Sequence, residues 1–350
     1  MIVTVSPDAP PTTVASLVAT AASHGLAARS MPDGWGGTIV GVDGQIPPDA
    51  LTLPGITAVH AAHKPYMLAS REHRATSVIR VGNVPIGAGM PVVMAGPCVV
   101  EGRDEMIEAA RAVKAAGASI LRGGAFKPRT SPYSFQGLGE DGLRCLTAAR
   151  EATGLPVVTE VLEPDHVEMV AAYADMLQVG TRNMANFPLL KRVGKANKPV
   201  LLKRGFSATI EEWLMSAEYI LAAGNPHVVL CERGIRSFDT STRFALDLNA
   251  VPLAKDLSHL PVIVDPSHGT GRRDLVPRMA LAALAAGADG LIVEAHPDPE
   301  RSRCDAAQTI TPVELARICR KGLALHAALH DADELTAEGS IQPELSLLVS

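Results

Sequence analysis

Residues 92–122 read VVMAGPCVVEGRDEMIEAARAVKAAGASILR, and this stretch contains the unit that the rest of the chain repeats. A short aliphatic run, Val92–Ala95, leads into a loop that carries a reactive side chain, Cys98. A helical segment, Glu105–Ala116, follows, and an Ala-Gly pair closes it before the next strand-like run, Ser119–Leu121. Continuous apolar strands that alternate with helices indicate a parallel sheet covered on both faces.

The same pattern occurs eight times along the chain. Eight such units in roughly 250 residues predict a (β/α)8 TIM barrel, here expected over residues 76–330. The hairpin-like segment 77–86 is expected to plug the barrel floor. The other six runs are Val157–Thr159, Met176–Val179, Val200–Leu202, Val228–Leu230, Val262–Val264 and Leu291–Val293.

Residues 1–62 are expected to form a small α+β domain ahead of the barrel. Short β-branched runs and helical segments occur there in the order β-α-β-β-α-β, which is typical of a ferredoxin-like fold. The polar, mixed segment 63–75 is interpreted as the linker between the two domains. Residues 331–350 show no clear periodicity and are expected to be a loose C-terminal tail.

The composition excludes several classes of protein. Of the 350 residues, 47% are hydrophobic and 20% are charged, which permits a large core and excludes wholesale disorder. The net charge of −5 argues against a general nucleic-acid or anionic-membrane binder. Five scattered cysteines are no disulfide framework and fit a reducing cytoplasm. Neither a signal peptide nor a membrane span is apparent.

The residues that follow the predicted strands carry the candidate chemistry, because barrel active sites lie at the carboxyl ends of the strands. One subset has a thiol, an imidazole and two carboxylates, all of which are ligands of first-row transition metals. Mixed sulfur, nitrogen and oxygen donors suit Mn, Fe, Co or Zn better than Mg or Ca. The metal-ligand candidates are Cys98, His268, Glu294 and Asp305.

A second subset is cationic and would repel itself unless anions bind there. Six cations and a divalent ion, less three anionic ligands, leave a charge of about +5, while two phosphate monoesters and a carboxylate carry about −4 to −5. The site is therefore suited to two phosphorylated substrates, one of which is also a carboxylate. The six cations are Arg122, Lys127, Arg129, Arg182, Lys203 and Arg233.

Nine sequence blocks between residues 95 and 310 resemble the 3-deoxy-D-arabino-heptulosonate 7-phosphate (DAHP) synthase family. The resemblance is to its type I-beta group, whose members have a short N-terminal ferredoxin-like domain, and it extends in order over residues 1–325. The block KPRTSPYSFQG at 127–137 is the most specific part. The others include AGPCVVE (95–101), TEVLEP (159–164), QVGTRNMANF (178–187), LLKRG (201–205), CERG (231–234), DPSHGTGRR (265–273), VEAHP (293–297) and CDAAQTI (304–310).

The resemblance implies a transferase that condenses phosphoenolpyruvate with erythrose 4-phosphate and water, giving DAHP and phosphate. This reaction is the first step of the shikimate pathway to the aromatic amino acids. The family also implies one divalent transition metal and a homotetramer or homodimer. It implies feedback control through the N-terminal domain by an aromatic amino acid, although a mere oligomerisation role for that domain is an equal alternative. No nucleic-acid or membrane partner is expected.

The resemblance also assigns roles to individual residues. It makes Cys98, His268, Glu294 and Asp305 the metal ligands and pairs Arg129 with Thr130 at the erythrose 4-phosphate end. Candidate catalytic residues are Lys127, as proton donor or electrostatic stabiliser, with Glu160 and His268; either Glu160 or a metal-bound water would activate the attacking water. The residues implied to hold phosphoenolpyruvate are Arg122, Lys127, Arg182, Lys203 and Arg233.

Two other functions remain open at this stage. A sister synthase that uses arabinose 5-phosphate shares the barrel and the phosphoenolpyruvate chemistry, but the block from Lys127 to Thr130 argues against it. A non-enzymatic sensor, made of a ligand-binding domain fused to an inactive barrel, would not need the complete metal-ligand and cation sets.

Overall fold

A closed barrel of eight parallel strands dominates the computed structural model, which describes residues 1–60, 65–129 and 131–337. Strands pair in chain order, and the last pairs with the first, with Leu291 opposite Val93. All eight predicted runs are strands, so the barrel prediction is confirmed. The strands are β7 (Val92–Gly96), β8 (Ile120–Arg122), β9 (Val157–Val161), β10 (Met176–Val179), β11 (Val200–Lys203), β12 (Val228–Glu232), β13 (Val262–Val264) and β14 (Gly290–Glu294).

Helices cover the outside of the barrel. Local signals in the sequence set several of their ends: Thr209 and Glu212 form a capping box at the start of the helix Ile210–Ala222, and Gly154, in the left-handed conformation, ends the helix Glu140–Thr153. The helices are α2 (Arg103–Ala115), α3 (Glu140–Thr153), α4 (Val167–Tyr173), α5 (Phe187–Val193), α6 (Ile210–Ala222), α7 (Ala250–Leu257), α8 (Pro266–Thr270), α9 (Val276–Ala285) and α10 (Pro312–Ala337).

A hairpin closes the amino-terminal end of the barrel, as predicted. Its strands β5 (Ile79–Val81) and β6 (Val84–Ile86) pair antiparallel. Ile79, Val81 and Ile86 are buried in one cluster with the inward-facing strand residues, such as Met94 and Ile292. Burying this aliphatic surface seals the floor, so only the opposite end of the barrel remains open to substrates.

The N-terminal unit has ferredoxin-like topology. Its elements are β1 (Ile2–Val5), α1 (Pro11–Ser23), β2 (Ala28–Pro32), β3 (Thr38–Val42) and β4 (Ile56–His60), and the sheet order is β2-β3-β1-β4, antiparallel throughout. The second helix of the pattern is only a 3-10 turn, Pro48–Thr52. Pro47 precedes this turn, and Leu53 leaves it in an extended conformation before β4 begins at Ile56. Leu17 and Ala21 of α1 pack on the sheet in a core separate from that of the barrel.

Part of the segment expected to be a linker packs against the barrel. Leu68 and Ala69 are fully buried, and the Glu218 carboxylate accepts their backbone N–H groups at 2.8 and 2.9 Å. Residues 61–64 lie outside the described part of the chain. The segment is therefore anchored from Tyr66 onward, because its apolar side chains join the core cluster of the barrel.

The last helix continues into the segment expected to be a loose tail. Helix α10 ends at Ala337, and residues 338–350 lie outside the described residues. No helix in the described part of the chain combines the length and the apolar character needed to cross a bilayer.

The two domains meet at a cluster of rings below the barrel floor. Trp35 of the N-terminal unit lies 5.7 Å from the ring of His73 and 5.4 Å from that of His259. His259 is buried, with Nδ1 2.8 Å from the Ser77 hydroxyl and Nε2 2.6 Å from the Leu68 carbonyl oxygen. The neutral imidazole satisfies both contacts, since Nε2–H donates and Nδ1 accepts.

Acid is expected to destabilise the protein through His259. Burial, together with the nearby charges of His73 and Arg74, lowers the pKa of His259 from 6.5 to about 4, so between these pH values the unfolded chain binds a proton that the folded chain excludes. Lowering the pH from 7 to 5 therefore removes about 2 kcal/mol of unfolding free energy through this residue. His259→Gln keeps one donor and one acceptor and should flatten the pH dependence in denaturant titrations. His24→Gln, at an exposed histidine, is the control; equal pH slopes for His259→Gln and the parent would contradict the assignment.

Candidate active site

The carboxyl ends of the barrel strands open into one cavity of about 290 Å³. Each strand contributes the residues that directly follow its buried run, so side chains far apart in sequence meet at one rim. Most of the predicted site residues line this cavity, and Glu294 is buried beneath it. Thr130 lies outside the described residues, and its role stays a prediction. The predicted residues in the cavity wall are Cys98, Arg122, Lys127, Arg129, Glu160, Arg182, Lys203, Arg233, His268 and Asp305.

The four metal-ligand candidates come together at one side of the cavity. His268 Nε2 lies 3.2 Å from Glu294 Oε1 and 3.9 Å from Asp305 Oδ2, and Cys98 Sγ lies 3.1 Å from Asp305 Oδ2. Donor atoms of His268, Glu294 and Asp305 all lie within 4.8 Å of one another, and so do those of Cys98, Cys304 and Asp305. A buried carboxylate, Glu294, and a half-buried one, Asp305, face one imidazole and a thiol, and this donor set fits a divalent transition ion.

Asp305 reaches this group from an uncommon backbone conformation. Its φ of 54° lies in the left-handed region, which aspartate and asparagine adopt more readily than most residues other than glycine. Asp305 precedes the 3-10 turn Ala306–Gln308, in which Gln308 Nε2 donates a hydrogen bond of 2.7 Å to Glu294 Oε2. The conformation places the Asp305 carboxylate beside Cys98 and His268.

Asp265 orients His268 and is a residue that the candidate set from sequence omits. Its Oδ2 lies 2.7 Å from His268 Nδ1, and its Oδ1 accepts the His268 backbone N–H at 2.9 Å. The proton is therefore held on Nδ1, and the lone pair of Nε2 faces Glu294 and Asp305. Burial raises the pKa of Asp265, but the charges of His268 and Lys203 outweigh it and hold the pKa well below its usual range. The sequence feature that could have identified Asp265 is its position three residues before His268, which is the spacing of an N-cap residue at the start of α8.

Three of the predicted cations are paired with carboxylates in this site. Arg122 lies 3.2 Å from Glu294, and Lys203 lies 2.5 Å from Asp265. Lys127 Nζ donates to Cys98 Sγ at 2.7 Å and to Asp305 Oδ2 at 3.2 Å. Each of these cations touches the metal-ligand group or the carboxylate that orients it, so the two candidate sets are one structure.

The other cations have different surroundings. Arg129 donates to Cys304 Sγ at 2.6 Å. Within the described residues, Arg182 and Arg233 have no carboxylate partner and lie instead over the ring of Phe206. The cavity also contains Arg243, 3.3 Å from Asp305 Oδ1, which the sequence did not single out. Adding the positive charge of Arg243 and the negative charge of Asp265 leaves the net charge of the site, as counted from the sequence, unchanged.

The environment of Lys127 keeps its amine protonated. Burial lowers the pKa of Lys127, but the sulfur of Cys98 and the carboxylates of Glu294 and Asp305 outweigh burial and raise the pKa above its usual value. Burial in turn raises the pKa of the Cys98 thiol, and a bound divalent ion opposes that shift because it displaces the thiol proton. Lys127 is therefore a fixed positive charge beside the ligand group.

Glu160 sits across from this group, at the end of β9. Its Oε2 accepts from Gln178 Nε2 at 3.2 Å. Gly180 allows this approach, because a Cβ at that position would collide with Glu160 Oε1. Glu160 and Arg182 both line the cavity, so a carboxylate and a guanidinium face the same space.

Comparison with known proteins identifies relatives of the whole chain. A model of the DAHP synthetase I family matches residues 66–329. The phospho-2-dehydro-3-deoxyheptonate aldolase of Thermotoga maritima is 48% identical over 315 residues, which span 89% of this chain and 93% of the relative. A solved structure of the DAHP synthase of T. maritima superposes with a TM-score of 0.75 at 45% identity, covering 94% of this chain and 97% of that chain.

A second group of relatives is more distant. The 2-dehydro-3-deoxyphosphooctonate aldolase of Desulfatibacillum aliphaticivorans is 32% identical over 275 residues, which span 72% of this chain and 99% of the relative. These residues cover most of the barrel, so the two groups of relatives share the catalytic scaffold.

Proposed function

The chain belongs to the DAHP synthetase I family, and on that premise we propose how its barrel condenses phosphoenolpyruvate with erythrose 4-phosphate and water to give DAHP and phosphate. One observation carries the proposal: the Lys127 amine contacts Cys98 and Asp305, at the point where the metal-ligand candidates meet the row of cations. A single rim thus offers cationic groups for polyanions and donors for a metal ion. Both are needed to join two phosphorylated molecules.

The cations hold phosphoenolpyruvate in this proposal. Arg182 and Arg233 bind its phosphate, because their N–H groups are not used by carboxylates of the described chain. Arg122, Lys127 and Lys203 lie nearer the ligand group and bind its carboxylate. Guanidinium groups form paired hydrogen bonds to such anions and so set the angle as well as the position of the enol. Arg129 with Thr130 binds the phosphate of erythrose 4-phosphate.

Cys98, His268, Glu294 and Asp305 would hold one divalent transition metal, whether Mn, Fe, Co or Zn. The bound ion supplies Lewis-acid polarisation of the aldehyde oxygen. Asp265 keeps the Nδ1 proton of His268 in place, so that Nε2 stays free as a ligand. The Arg122 guanidinium pairs with Glu294, and its positive charge keeps that buried carboxylate ionised.

The reaction then follows from orientation and charge. The electron pair of the C2–C3 double bond of phosphoenolpyruvate forms the bond to the aldehyde carbon, the aldehyde oxygen gains a proton, and water adds to C2. The C2–O bond to phosphate then breaks while the new C2 hydroxyl gives its proton to the leaving phosphate, which leaves the ketone of DAHP. Lys127 is beside the developing alkoxide and either donates a proton to it or stabilises its charge. Glu160 takes the proton of the attacking water; a metal ion held by the four ligand candidates would supply a water as the alternative base. Because both substrates are held in one complex, the entropy of bringing them together is lost on binding and no longer adds to the activation barrier.

A substrate panel tests the assignment. We expect phosphate release from phosphoenolpyruvate with erythrose 4-phosphate, loss of activity after chelation, and recovery with Mn, Fe, Co or Zn salts. With arabinose 5-phosphate, turnover should be at least about 10²-fold slower, because a site built around one sugar phosphate leaves polar groups unpaired with another. Comparable or faster turnover with arabinose 5-phosphate would overturn the choice of aldehyde, and full activity without metal would overturn the proposed metal role.

We further propose the arrangement of the whole protein. Residues 1–62 act as a regulatory domain for an aromatic amino acid, residues 63–75 connect it to the barrel of 76–330, and the chain assembles as a homotetramer or homodimer. The free Cys98 thiol supports a reducing compartment, the cytoplasm. Assays with added Phe or Tyr, with and without residues 1–62, test the regulatory role, which fails if neither amino acid alters the rate.

A further inference from the structure

Two stacked phenyl rings lie behind the phosphate end of the cavity. Phe206 follows β11 and Phe244 lies in the loop after β12; their ring centres are 5.0 Å apart and the ring planes differ by 12°. Guanidinium carbons lie 4.5 to 5.8 Å from one or both ring centres. The guanidinium groups concerned belong to Arg182, Arg233, Arg236 and Arg243.

The backbone holds the rings firmly. The Phe206 carbonyl accepts from the Arg236 N–H at 2.7 Å, and the Phe244 N–H donates to the Gly269 carbonyl at 3.1 Å. Gly234 allows the close approach, because its φ is 92° and a Cβ there would lie 2.8 Å from Phe244 Cβ. Backbone bonds to Arg236 and Gly269 fix the two segments that carry the rings, so the rings can in turn position the side chains that rest on them.

Arg233 lies close to both rings, whereas each of the other three guanidinium groups lies close to one. It is 4% exposed, lies 5.1 Å from the Phe206 ring centre and 4.5 Å from that of Phe244, and its buried Nη1 has no hydrogen-bond partner within the described chain. Burial and the nearby charges of Arg243 and Arg182 lower its pKa. A buried N–H with no partner in the protein points to a ligand atom that completes it.

The neighbouring Arg204 shows the alternative arrangement. Its guanidinium donates to Glu232 at 3.0 Å and to Asp247 at 2.8 Å, so two carboxylates occupy its N–H groups and cancel its charge. Such an arginine is structural, because few of its N–H groups and little of its charge remain available to bind a phosphate. An aromatic face attracts a guanidinium electrostatically without neutralising it and without using its N–H groups.

We propose that Phe206 and Phe244 are positioning residues for the phosphate of phosphoenolpyruvate, which they serve by holding Arg233 and Arg182 charged, oriented and unpaired. The inference rests on the proposed roles of these two arginines. Phosphate binds a guanidinium through paired hydrogen bonds, so a small rotation of Arg233 costs more affinity than its charge alone would indicate.

Phe206→Leu and Phe244→Leu test the inference, because leucine keeps apolar bulk and removes the aromatic face. We expect each to raise the KM for phosphoenolpyruvate about tenfold, equivalent to about 1.4 kcal/mol. The Ki for inorganic phosphate as a competitive inhibitor should rise in parallel, while kcat and the KM for erythrose 4-phosphate change less than threefold. Phe244→Tyr keeps the face and should restore the KM. Phe238→Leu, at a fully exposed ring in the same loop, is the matched control.

A double-mutant cycle separates this inference from the proposed function. In a background of Arg233→Lys, which lacks the planar guanidinium, Phe244→Leu should raise the KM much less than in the parent enzyme. If Arg233→Lys itself leaves the KM for phosphoenolpyruvate unchanged, the proposed phosphate site is wrong. If Arg233→Lys raises the KM while Phe206→Leu and Phe244→Leu match Phe238→Leu, only the positioning role is wrong. A loss of kcat and of both substrate affinities, with a lower melting temperature, would also overturn it in favour of a packing role.

Discussion

Replacing Cys98 by alanine is expected to remove metal binding and turnover together. The thiol is one of the four proposed donors, and its sulfur lies 3.1 Å from the Asp305 carboxylate, so its loss would leave only His268, Glu294 and Asp305 as ligands. Changes to groups that only support metal ligands already cost about 10- to 100-fold in affinity, and loss of a ligand costs at least as much. Metal content after dialysis and kcat with metal added back are the measurements.

The control for this variant is another thiol of the same chain. Cys145, on α3, is half-buried and outside the cavity, so Cys145→Ala should keep metal content and turnover close to the parent values. Added metal at high concentration should partly restore Cys98→Ala, since three ligands remain. Full activity of Cys98→Ala in chelator-treated buffer would contradict the metal role.

Replacing Lys127 by methionine is expected to lower kcat by at least about 10³-fold, the effect of removing a proton donor or an electrostatic stabiliser from a preorganised site. The Lys127 amine contacts both Cys98 and Asp305, and its raised pKa keeps it positively charged. Methionine has a similar length but removes this charge from the site. Steady-state kinetics at saturating substrates measure kcat, and calorimetry measures the melting temperature.

Stability should respond much less than catalysis. Asp305 keeps its contact with Arg243 and its place in the metal-ligand group, so the carboxylate is not left buried alone. Lys195→Met, at an exposed lysine, supplies the baseline for the loss of one positive charge. A kcat for Lys127→Met within a few-fold of the parent enzyme would remove Lys127 from the chemistry.

Two sequence-based expectations differ from the structure. The polar segment 63–75 contains only a few apolar side chains, yet Leu68 and Ala69 are fully buried in the core cluster of the barrel, and the Glu218 carboxylate of a distant helix accepts their backbone N–H groups. These contacts depend on tertiary packing and are not visible in the local sequence. Helix α10 extends into the expected tail because a helix, once started, propagates without strict apolar periodicity.

The sequence alone determined the eight strands, the helices between them and therefore the order in which chemical groups arrive at the barrel rim. Apolar runs of strand length and glycine stops are local signals, and a closed parallel barrel brings all strand ends to one side. That was sufficient to select Cys98, His268 and Lys127, together with the motifs that resemble the family.

Which of these groups touch, and what charge each of them retains, depends on the folded arrangement of the loops. Asp265 became an orienting residue because it lies 2.7 Å from His268 Nδ1, while Phe206 and Phe244 became partners of Arg233 across two loops. The physical reason is that hydrogen bonds, ion pairs and cation–π contacts act over a few ångströms, and spacing along a chain of aliphatic strands does not encode distances between loops.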